Sequence, residues 1–486
     1  MLLIMKKILY THVLILLTLF SSCDLLDIKP VNSMLPVSVE DFESVLLGGY
    51  PRSNFFINTD LATDNVYANL NASAAVTKSY EPWFIWAATH QYNGAEDGYW
   101  KQLYQSIFYA NTVLDEFAGK TPSAEEKNLF ETVRGEAYAL RAYCYFYLVN
   151  LYAENYATEN LEKPGVPMPL SATDVHQNTQ NNVRVPVGKV WEQIEKDLDE
   201  ATKDLQGKES KSKYRFDYIS LQAFKARVYL FMNKYEEAIE AASYVIDAKA
   251  LFDMNEIQSY LDGLDKISNA FSYTYGFIDT DYRNEVLFFV GGIANQNPYY
   301  YGKTRFKPTE ELLNLCKRDP NVIDYRRYIF ESNADPESAD YVELGPTVYR
   351  MFATQQSDCY YIGLKLSEAY VTRAEAYART GEKDLAIADL NWLLVTRIKK
   401  DNYVALDKAD FTDETALQRV LEERRVELAF DCGMRWLDLR RLGKPRIQHA
   451  YENGQVYTLE QGDLRYVLQI PESEQLNSPN MPLNPR

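Results

Sequence analysis

The stretch LQRVLEERRVELAFDCGMRWLDLRRLG, residues 417–443, decides the fold expected for this chain. Leu417, Leu421 and Leu428 recur at helical spacing, which predicts a helix with one apolar stripe. Arg424 lies on the same face of that helix. Because burial of an unpaired guanidinium costs roughly several kcal/mol, this arginine needs a carboxylate or a carbonyl partner. The carboxylates available nearby are Glu423, Glu427, Asp431 and Asp438.

Both ends of this helix are marked in the sequence. Thr412 and Asp413 supply capping oxygens just before the first turn. Gly433 breaks the helix, and a second, shorter helix begins around Trp436. The sequence therefore predicts two helices joined at Gly433.

The N-terminus has the pattern of a processing segment. Lys6 and Lys7 precede a thirteen-residue apolar run, Ile8–Phe20, which is too short for a membrane span but typical of a signal peptide. Small residues then lead into Cys23. We predict that residues 1–22 form a lipoprotein signal peptide and that cleavage leaves Cys23 as the lipidated first residue. The alternative is ordinary secretion with an incidental cysteine.

The composition is that of a globular, acidic protein. Of the 486 residues, 46% are apolar and 25% are charged, and the formal net charge is −18. This charge disfavours nucleic acids and other polyanions as partners. Tyrosine is the outlier, with 38 copies. Because tyrosine combines apolar area with a hydroxyl group, its abundance suits a wet surface that binds an amphipathic ligand.

An internal repeat organises the middle of the chain. Residues 221–247 are matched within residues 364–397 at a displacement of 148, and a third copy of the first helix lies at 134–153. The matched pairs are Ala226 with Ala374, Tyr229 with Tyr377, Asn233 with Gly381, Ala238 with Ala386, and Ile239 with Ile387. Small residues and a tight turn at such positions are typical of the tetratricopeptide pattern of paired antiparallel helices.

Insertions interrupt these repeats, so the expected fold is mostly α, with tetratricopeptide-like helices, irregular loops and short β insertions in a single domain, residues 23–486. Repeat-like helices are expected at about 101–153, 188–247 and 362–442. A loop-rich insertion is expected at about 250–361, and within it Asn284–Val290 has the pattern of a buried strand. Residues 60–77, rich in Asn, Ala and Thr, are predicted as a loop.

Two aromatic segments outside the helical pattern are the candidate ligand site. The first, residues 81–100, contains a proline and glycines that favour a loop, where large rings are hard to bury. The second is the loop around Tyr299, Tyr300 and Tyr301, which cannot all share one face, so at least one should be exposed. The candidate contacts in the first segment are Trp83, Trp86, Tyr92 and Asn93.

We predict that the two segments form one stacking platform for a sugar, because sugars offer apolar C–H faces to aromatic rings and hydroxyl groups to nearby amides. The alternative is that Trp83 and Phe84 pin the first loop to the body of the protein. Trp100 differs, because it continues at helical spacing with Tyr104 and Ile107, and we assign it to the core.

The sequence carries no enzyme motif of the common types. No GxSxG, HExxH, P-loop or GxGxxG pattern occurs. His90, His176 and His449 lie in unlike contexts and indicate neither a triad nor a metal cluster. The five cysteines form no CxxC pair, which argues against a zinc site or a disulfide scaffold. Cys144, in an apolar helical run, is predicted to be a buried thiol. We expect neither catalysis nor a metal.

Residues 417–443 resemble the C-terminal signature of the SusD/RagB family. The members of this family are surface lipoproteins that capture glycans at a Gram-negative outer membrane. The matching run extends from Glu423 to Arg441. Further blocks that resemble the family lie at residues 141–148, 165–170 and 466–485. The resemblance implies that the signature run is architecture rather than a ligand site.

The resemblance also implies a partner and a location. The partner would be a SusC-type TonB-dependent transporter, over which the lipoprotein sits as a lid on the cell surface, with its repeats toward the transporter and its loops toward the glycan. Because the transporter supplies the energy for import, no cofactor is implied. Two other classes remain open. A tetratricopeptide adaptor would line a concave helical face with polar residues, and a glycosidase would turn over a polysaccharide.

Overall fold

The computed structural model describes residues 36–51, 57–68, 81–87, 98–174, 183–257, 285–291, 306–326, 360–431, 433–451 and 454–486, and within them the predicted, mostly helical fold is confirmed. The helices are α1 Val39–Gly49, α2 Ile57–Leu61, α3 Glu81–Phe84, α4 Tyr99–Phe117, α5 Lys127–Tyr152, α6 Val187–Leu205, α7 Tyr218–Phe231, α8 Tyr235–Ala248, α9 Glu310–Cys316, α10 Leu366–Arg379, α11 Lys383–Arg397, α12 Asp413–Glu427, α13 Met434–Arg441 and α14 Glu472–Asn477. The strands are β1 Val66–Ala68, β2 Val286–Gly291, β3 Phe306–Pro308, β4 Tyr360–Lys365, β5 Ile447–Ala450 and β6 Val456–Leu459.

The signature stretch forms the two predicted helices. α12 begins after Thr412, whose hydroxyl accepts from the backbone N–H of Thr415 and caps the helix. Gly433 adopts a φ of 62°, the left-handed conformation that favours glycine, and α13 follows it. Arg424 is buried, and its Nε donates to Asp438 Oδ2 at 2.9 Å. The predicted pairing of this arginine is therefore confirmed.

The repeat copies form helical hairpins, α7 with α8 and α10 with α11. Their turns correspond, since Asn233 and Gly381 both adopt positive φ, 58° and 85°. Leu230 and Ala238 pack with Ala376 in one buried cluster, which places the first hairpin against α10. The two hairpins are therefore neighbours, with small residues at their contact, as the repeat pattern predicts.

Replacing Ala238 by phenylalanine should destabilise this contact. Ala238 is fully buried, so a ring there must displace its neighbours and should lower the free energy of unfolding by roughly 1–3 kcal/mol. Urea denaturation measures the change. Glu237→Phe is the matched control, because Glu237 is exposed one position earlier on the same helix. A variant at Ala238 as stable as the wild type would mean that the helices do not approach closely there.

Antiparallel strand pairs connect segments that lie far apart in the sequence. β2 pairs with β4 and is buried, which confirms the strand predicted at Asn284–Val290. β1 pairs with β3, with Tyr67 opposite Lys307. Because α2 and β1 lie partly or wholly within residues 60–77, the prediction of a continuous loop there is wrong. A three-residue strand forms only when another strand pairs with it. The partner of β1 is β3, which is far away in the sequence, so the local sequence does not predict the pair.

A hydrophobic core joins elements from Phe42 in α1 to Met481 near the C-terminus. The second half of α5 lies at its centre, where Ala139–Tyr152 is buried throughout. Trp100 belongs to this core, as predicted. Cys144 is a buried free thiol, also as predicted, and burial raises its pKa, so the thiol stays protonated.

Candidate functional site

Trp83 and Trp86, the predicted stacking rings of the first aromatic segment, are buried. Each residue is only 3% exposed. The chain forms the short helix α3 and then turns at Trp86, whose φ of 51° lies in the left-handed region. Trp83 packs edge-on against Tyr99, with the ring centres 5.4 Å apart. This burial corrects the expected exposure of both rings and agrees with the alternative, in which large rings pin the segment to the body.

His449 in β5 lies between two aromatic rings of this segment. Its imidazole stacks on Phe84 at 4.1 Å and on Trp86 at 4.2 Å, measured between ring centres. The indole N–H of Trp86 donates to the carbonyl oxygen of Ala62 at 2.9 Å. The stack therefore joins the α3 segment, the end of α2 and β5 into one packed unit.

The polar atoms of His449 are enclosed as well. Nδ1 lies 2.6 Å from the carbonyl oxygen of Phe84, and Nε2 lies 3.0 Å from that of Thr63. Burial lowers the pKa of His449, and the two carbonyl oxygens and the charge of Asp64 offset only part of this effect. Both ring nitrogens face backbone carbonyl oxygens and both ring faces are covered, so the role of His449 in this arrangement is packing.

Asp64 connects this unit to the signature helices. Its carboxylate accepts from Arg435 Nε at 2.8 Å and from Arg435 Nη2 at 2.6 Å, while Arg425 Nε donates to Asn65 at 2.7 Å. Burial acts to raise the pKa of Asp64, but the bonds from Arg435 and the charges of both arginines outweigh it and hold the pKa below its usual value. Arg425 and Arg435 of the signature stretch therefore fix residues 64 and 65, which follow Thr63, whose carbonyl oxygen contacts His449.

The described ends of the two aromatic segments meet. Phe84 packs on Phe306 with ring centres 5.0 Å apart. Residues 81–87, the described start of the first aromatic segment, and β3, which follows the second segment in the sequence, are therefore neighbours. The other predicted contacts lie outside the described residues, and these are Tyr92, Asn93, Tyr299, Tyr300 and Tyr301.

Tyr67 is an exposed aromatic residue in a segment predicted as a loop. It is 44% exposed and lies opposite Lys307 in the β1–β3 ladder, one position along from the pair of Ala68 and Phe306. The sequence evidence for strand β1 is the alternation of Val66, Tyr67 and Ala68, and three residues are too few to predict a strand.

Cys23, the predicted lipidation site, lies outside the described residues. In the part of the chain that the structure describes, no helix is long and apolar enough to cross a membrane. Within the same ranges, histidine, cysteine, aspartate and glutamate side chains do not gather in any group of three or more that could hold a metal ion.

Two family models match successive parts of the chain. A SusD-like model, described as starch-binding and associating with the outer membrane, matches residues 24–230. A SusD family model matches residues 257–485. Among curated proteins, a SusD-like protein of Formosa agariphila is 27% identical over 395 residues, which are 71% of this chain and 72% of that protein.

Solved structures share the fold. A SusD superfamily protein from Bacteroides thetaiotaomicron matches with a TM-score of 0.71 at 22% identity, over 93% of this chain and 100% of that chain. A laminarin binding SusD-like protein matches with a TM-score of 0.59 at 18% identity, over 92% of this chain and 98% of that chain. At these identities the structural matches establish a common fold.

Proposed function

Because this chain belongs to the SusD/RagB family, we propose that it is an outer-membrane lipoprotein that binds an oligosaccharide or polysaccharide for import. The two family models carry the proposal, since they match residues 24–230 and 257–485. A relative with the same fold is described as laminarin binding, which supports a glycan as the ligand class. Binding without turnover is the proposed activity.

We propose that the glycan site lies where the two aromatic segments start. The Phe84–Phe306 contact supports this location. Tyr92 is eight residues beyond Phe84, and Tyr301 is five residues before Phe306. Since an extended chain spans at most about 3.3–3.6 Å per residue, these separations limit Tyr92 to about 29 Å and Tyr301 to about 18 Å from that contact. The proposed contacts are Tyr67, Tyr92, Asn93, Tyr299, Tyr300 and Tyr301.

Tyr300→Ala and Tyr67→Ala should each weaken glycan binding about tenfold or more, with little change in the melting temperature. A stacked ring contributes ~1–3 kcal/mol by analogy with bases stacked on aromatic side chains, and about 1.4 kcal/mol corresponds to a tenfold change in affinity. A glycan panel that includes laminarin identifies the ligand, and isothermal titration calorimetry with that glycan measures the loss.

Tyr244→Ala is the matched control for these variants, because Tyr244 is also 44% exposed but lies on α8. Wild-type affinity in both the Tyr67 and the Tyr300 variants would show that the site lies elsewhere. Release of new reducing ends from the bound glycan would instead contradict binding without turnover and favour a glycosidase.

The proposed partner is a SusC-type TonB-dependent transporter, which the family resemblance implies and which would supply the energy for import. Affinity purification of the lipoprotein from detergent-solubilised membranes, followed by mass spectrometry, tests this partner. A membrane-bound protein that is recovered without any such transporter would contradict the proposal.

Cys23→Ala should abolish lipid anchoring and leave an unlipidated precursor or a periplasmic product. The expected change is loss of labelling by an alkyne-tagged palmitate and loss of surface accessibility in whole cells. Ser22→Ala is the control, because it keeps a small residue before the cysteine and should leave processing unchanged. A Cys23→Ala variant that still reaches the cell surface in full amount would show that the anchor assignment is wrong.

A further inference from the structure

A lysine and two carboxylates meet in the interior where β4 reaches the signature stretch. Lys365 is the last residue of β4, Glu427 is the last residue of α12, and Asp431 follows that helix. The three residues are 4%, 7% and 8% exposed. Because an ammonium group loses its hydration when it is buried, it is retained inside a protein only with partners that replace the water. The two carboxylates are such partners of Lys365.

The amine of Lys365 is held against the carboxyl group of Asp431. Lys365 Nζ lies 2.6 Å from Asp431 Oδ2. The carboxyl carbon Cγ is one bond further on, which is close to the separation of roughly 3–3.5 Å that a near-attack arrangement requires. Nζ also donates to the backbone carbonyl oxygen of Glu427 at 2.5 Å, and this bond keeps the amine beside the carboxyl group.

Burial favours the uncharged form of this pair. It raises the pKa of Asp431, and the charge of Lys365 and its hydrogen bond offset only part of the rise. Transfer of one proton from Nζ to Oδ2 leaves a neutral amine and a carboxylic acid, and in the interior this transfer costs less than it does in water. A neutral amine is the nucleophile that amide formation requires, and the carboxylic acid is its electrophile.

Glu427 places an ionised carboxylate beside the amine. Its Oε1 lies 3.9 Å from Lys365 Nζ. Burial acts to raise the pKa of Glu427, but the charges of Arg397, Lys365 and Arg326 outweigh it and lower the pKa from 4.5 to about 2. A nitrogen that has attacked a carboxyl carbon is more acidic than a lysine ammonium, so Glu427 is placed to take the proton that this nitrogen loses.

The chain on either side of the cluster is apolar and buried. Leu364 and Leu366 flank Lys365, Phe430 precedes Asp431, and none of the three is more than 3% exposed. Exclusion of bulk water favours condensation of an amine with an acid over hydrolysis of the product.

We propose that Lys365 Nζ and Asp431 Cγ form an intramolecular isopeptide bond, with Glu427 as the group that transfers the proton. The neutral amine attacks Cγ, and the N–C bond forms. Glu427 takes one proton from that nitrogen and passes it to the hydroxyl group on the tetrahedral carbon. The bond between Cγ and this oxygen then breaks, and one water leaves. The condensation needs no oxidant and no other co-reactant.

The isopeptide bond joins the two ends of the segment 365–431, which contains α10, α11 and α12. A cross-link that closes a long loop stabilises the folded state mainly by restricting the unfolded chain, as a disulfide does. An amide contains no sulfur, so thiols do not cleave it. The second repeat hairpin and α12 are therefore held together in an oxidising and in a reducing environment alike.

Trypsin digestion of the denatured wild-type protein, followed by tandem mass spectrometry, tests the bond. An acylated lysine is not a trypsin site, so cleavage after residue 365 should be lost. The expected product is a branched peptide of residues 351–373 and 426–435, which is lighter than the two peptides together by one water. The fragment spectrum should place the branch at Lys365 and Asp431.

Lys365→Arg is the matched variant, because it separates the ion pair from the covalent bond. Arginine keeps a cation and hydrogen-bond donors for Asp431, but its guanidinium stays protonated and is not a nucleophile. The variant should give the two peptides separately, with normal cleavage after residue 365, and should melt at a lower temperature than the wild type.

Glu427→Gln tests the proton transfer, since the amide keeps the shape of the side chain and the backbone carbonyl oxygen. In chains sampled over time after synthesis, the branched peptide should accumulate at least about tenfold more slowly than in the wild type, because a general acid–base group typically contributes about 10²–10⁴-fold. An unchanged rate would contradict the role of Glu427. If this variant does not fold, the wild-type digest still decides the bond.

A wild-type digest that contains only the separate peptides, with cleavage after Lys365, would overturn the proposal and leave Lys365 and Asp431 as an ordinary ion pair. Loss of one water that persists in Lys365→Arg would overturn it as well, because another residue would then carry the bond.

Discussion

Glu423→Gln should lower the free energy of unfolding by roughly 3–5 kcal/mol. Glu423 is 1% exposed, and its carboxylate contacts Arg318 at 2.6 Å, Arg326 at 2.7 Å and Arg419 at 2.8 Å. An amide of nearly the same shape leaves these cations without their shared counter-charge. The expected loss therefore comes from unpaired charge and not from a cavity.

Urea denaturation at pH 7 measures this loss. Glu422→Gln is the matched control, because Glu422 is the preceding residue and also pairs with Arg318, at 2.9 Å, but its side chain is 30% exposed. The control should change the free energy of unfolding by no more than about 1 kcal/mol. Equal losses in the two variants would contradict the role assigned to the buried carboxylate.

The difference between the wild type and Glu423→Gln should also depend on pH. Burial acts to raise the pKa of Glu423, but the charges of Arg326, Arg419 and Arg318 outweigh it and lower the pKa from 4.5 to about 2. Because the folded pKa lies below the unfolded one, the stabilisation is complete above pH 4.5 and is lost as the pH falls toward 2. A stability difference that stays constant across this window would refute the assignment.

Trp86→Ala should cost roughly 3–5 kcal/mol in the free energy of unfolding, as is usual when a buried tryptophan is truncated. The substitution removes one face of the stack on His449 and the indole bond to Ala62. The carbonyl oxygen of Ala62 loses its donor, and His449 loses packing on one side. Glycan binding should also weaken, because Trp86 belongs to the unit from which the first aromatic segment extends.

Trp392→Ala is the matched control for this variant, since Trp392 is 65% exposed on α11. Its free energy of unfolding should stay within about 0.5 kcal/mol of the wild type. A Trp86→Ala variant that keeps wild-type stability but loses glycan binding would make Trp86 a ligand contact after all. Retention of both properties would contradict its burial.

Several features of this protein follow from local patterns, and the sequence predicts them correctly. The apolar stripe around Leu417 and the Thr412 cap predict α12, and the displaced repeat predicts the matched turns at Asn233 and Gly381. Such patterns are local because helix periodicity and capping depend on residues within a few turns. The partner of Arg424 is predictable for a different reason, because a buried charge needs a counter-charge whatever the fold. The signature run also identifies the family, which the family models confirm.

The placement of the aromatic rings depends on contacts that no local pattern encodes. The proline and glycines near Trp86 predict an irregular segment, yet the ring is buried because His449, from β5 near the other end of the chain, stacks on it. His449 lies 365 residues from Phe84, and β3 brings Phe306 to the same ring. Only the tertiary structure therefore decided that Trp83 and Trp86 belong to the core, that Tyr67 faces solvent, and that the two aromatic segments start side by side. Exposure depends on what packs against a ring, and His449, which covers Phe84 and Trp86, comes from near the other end of the chain.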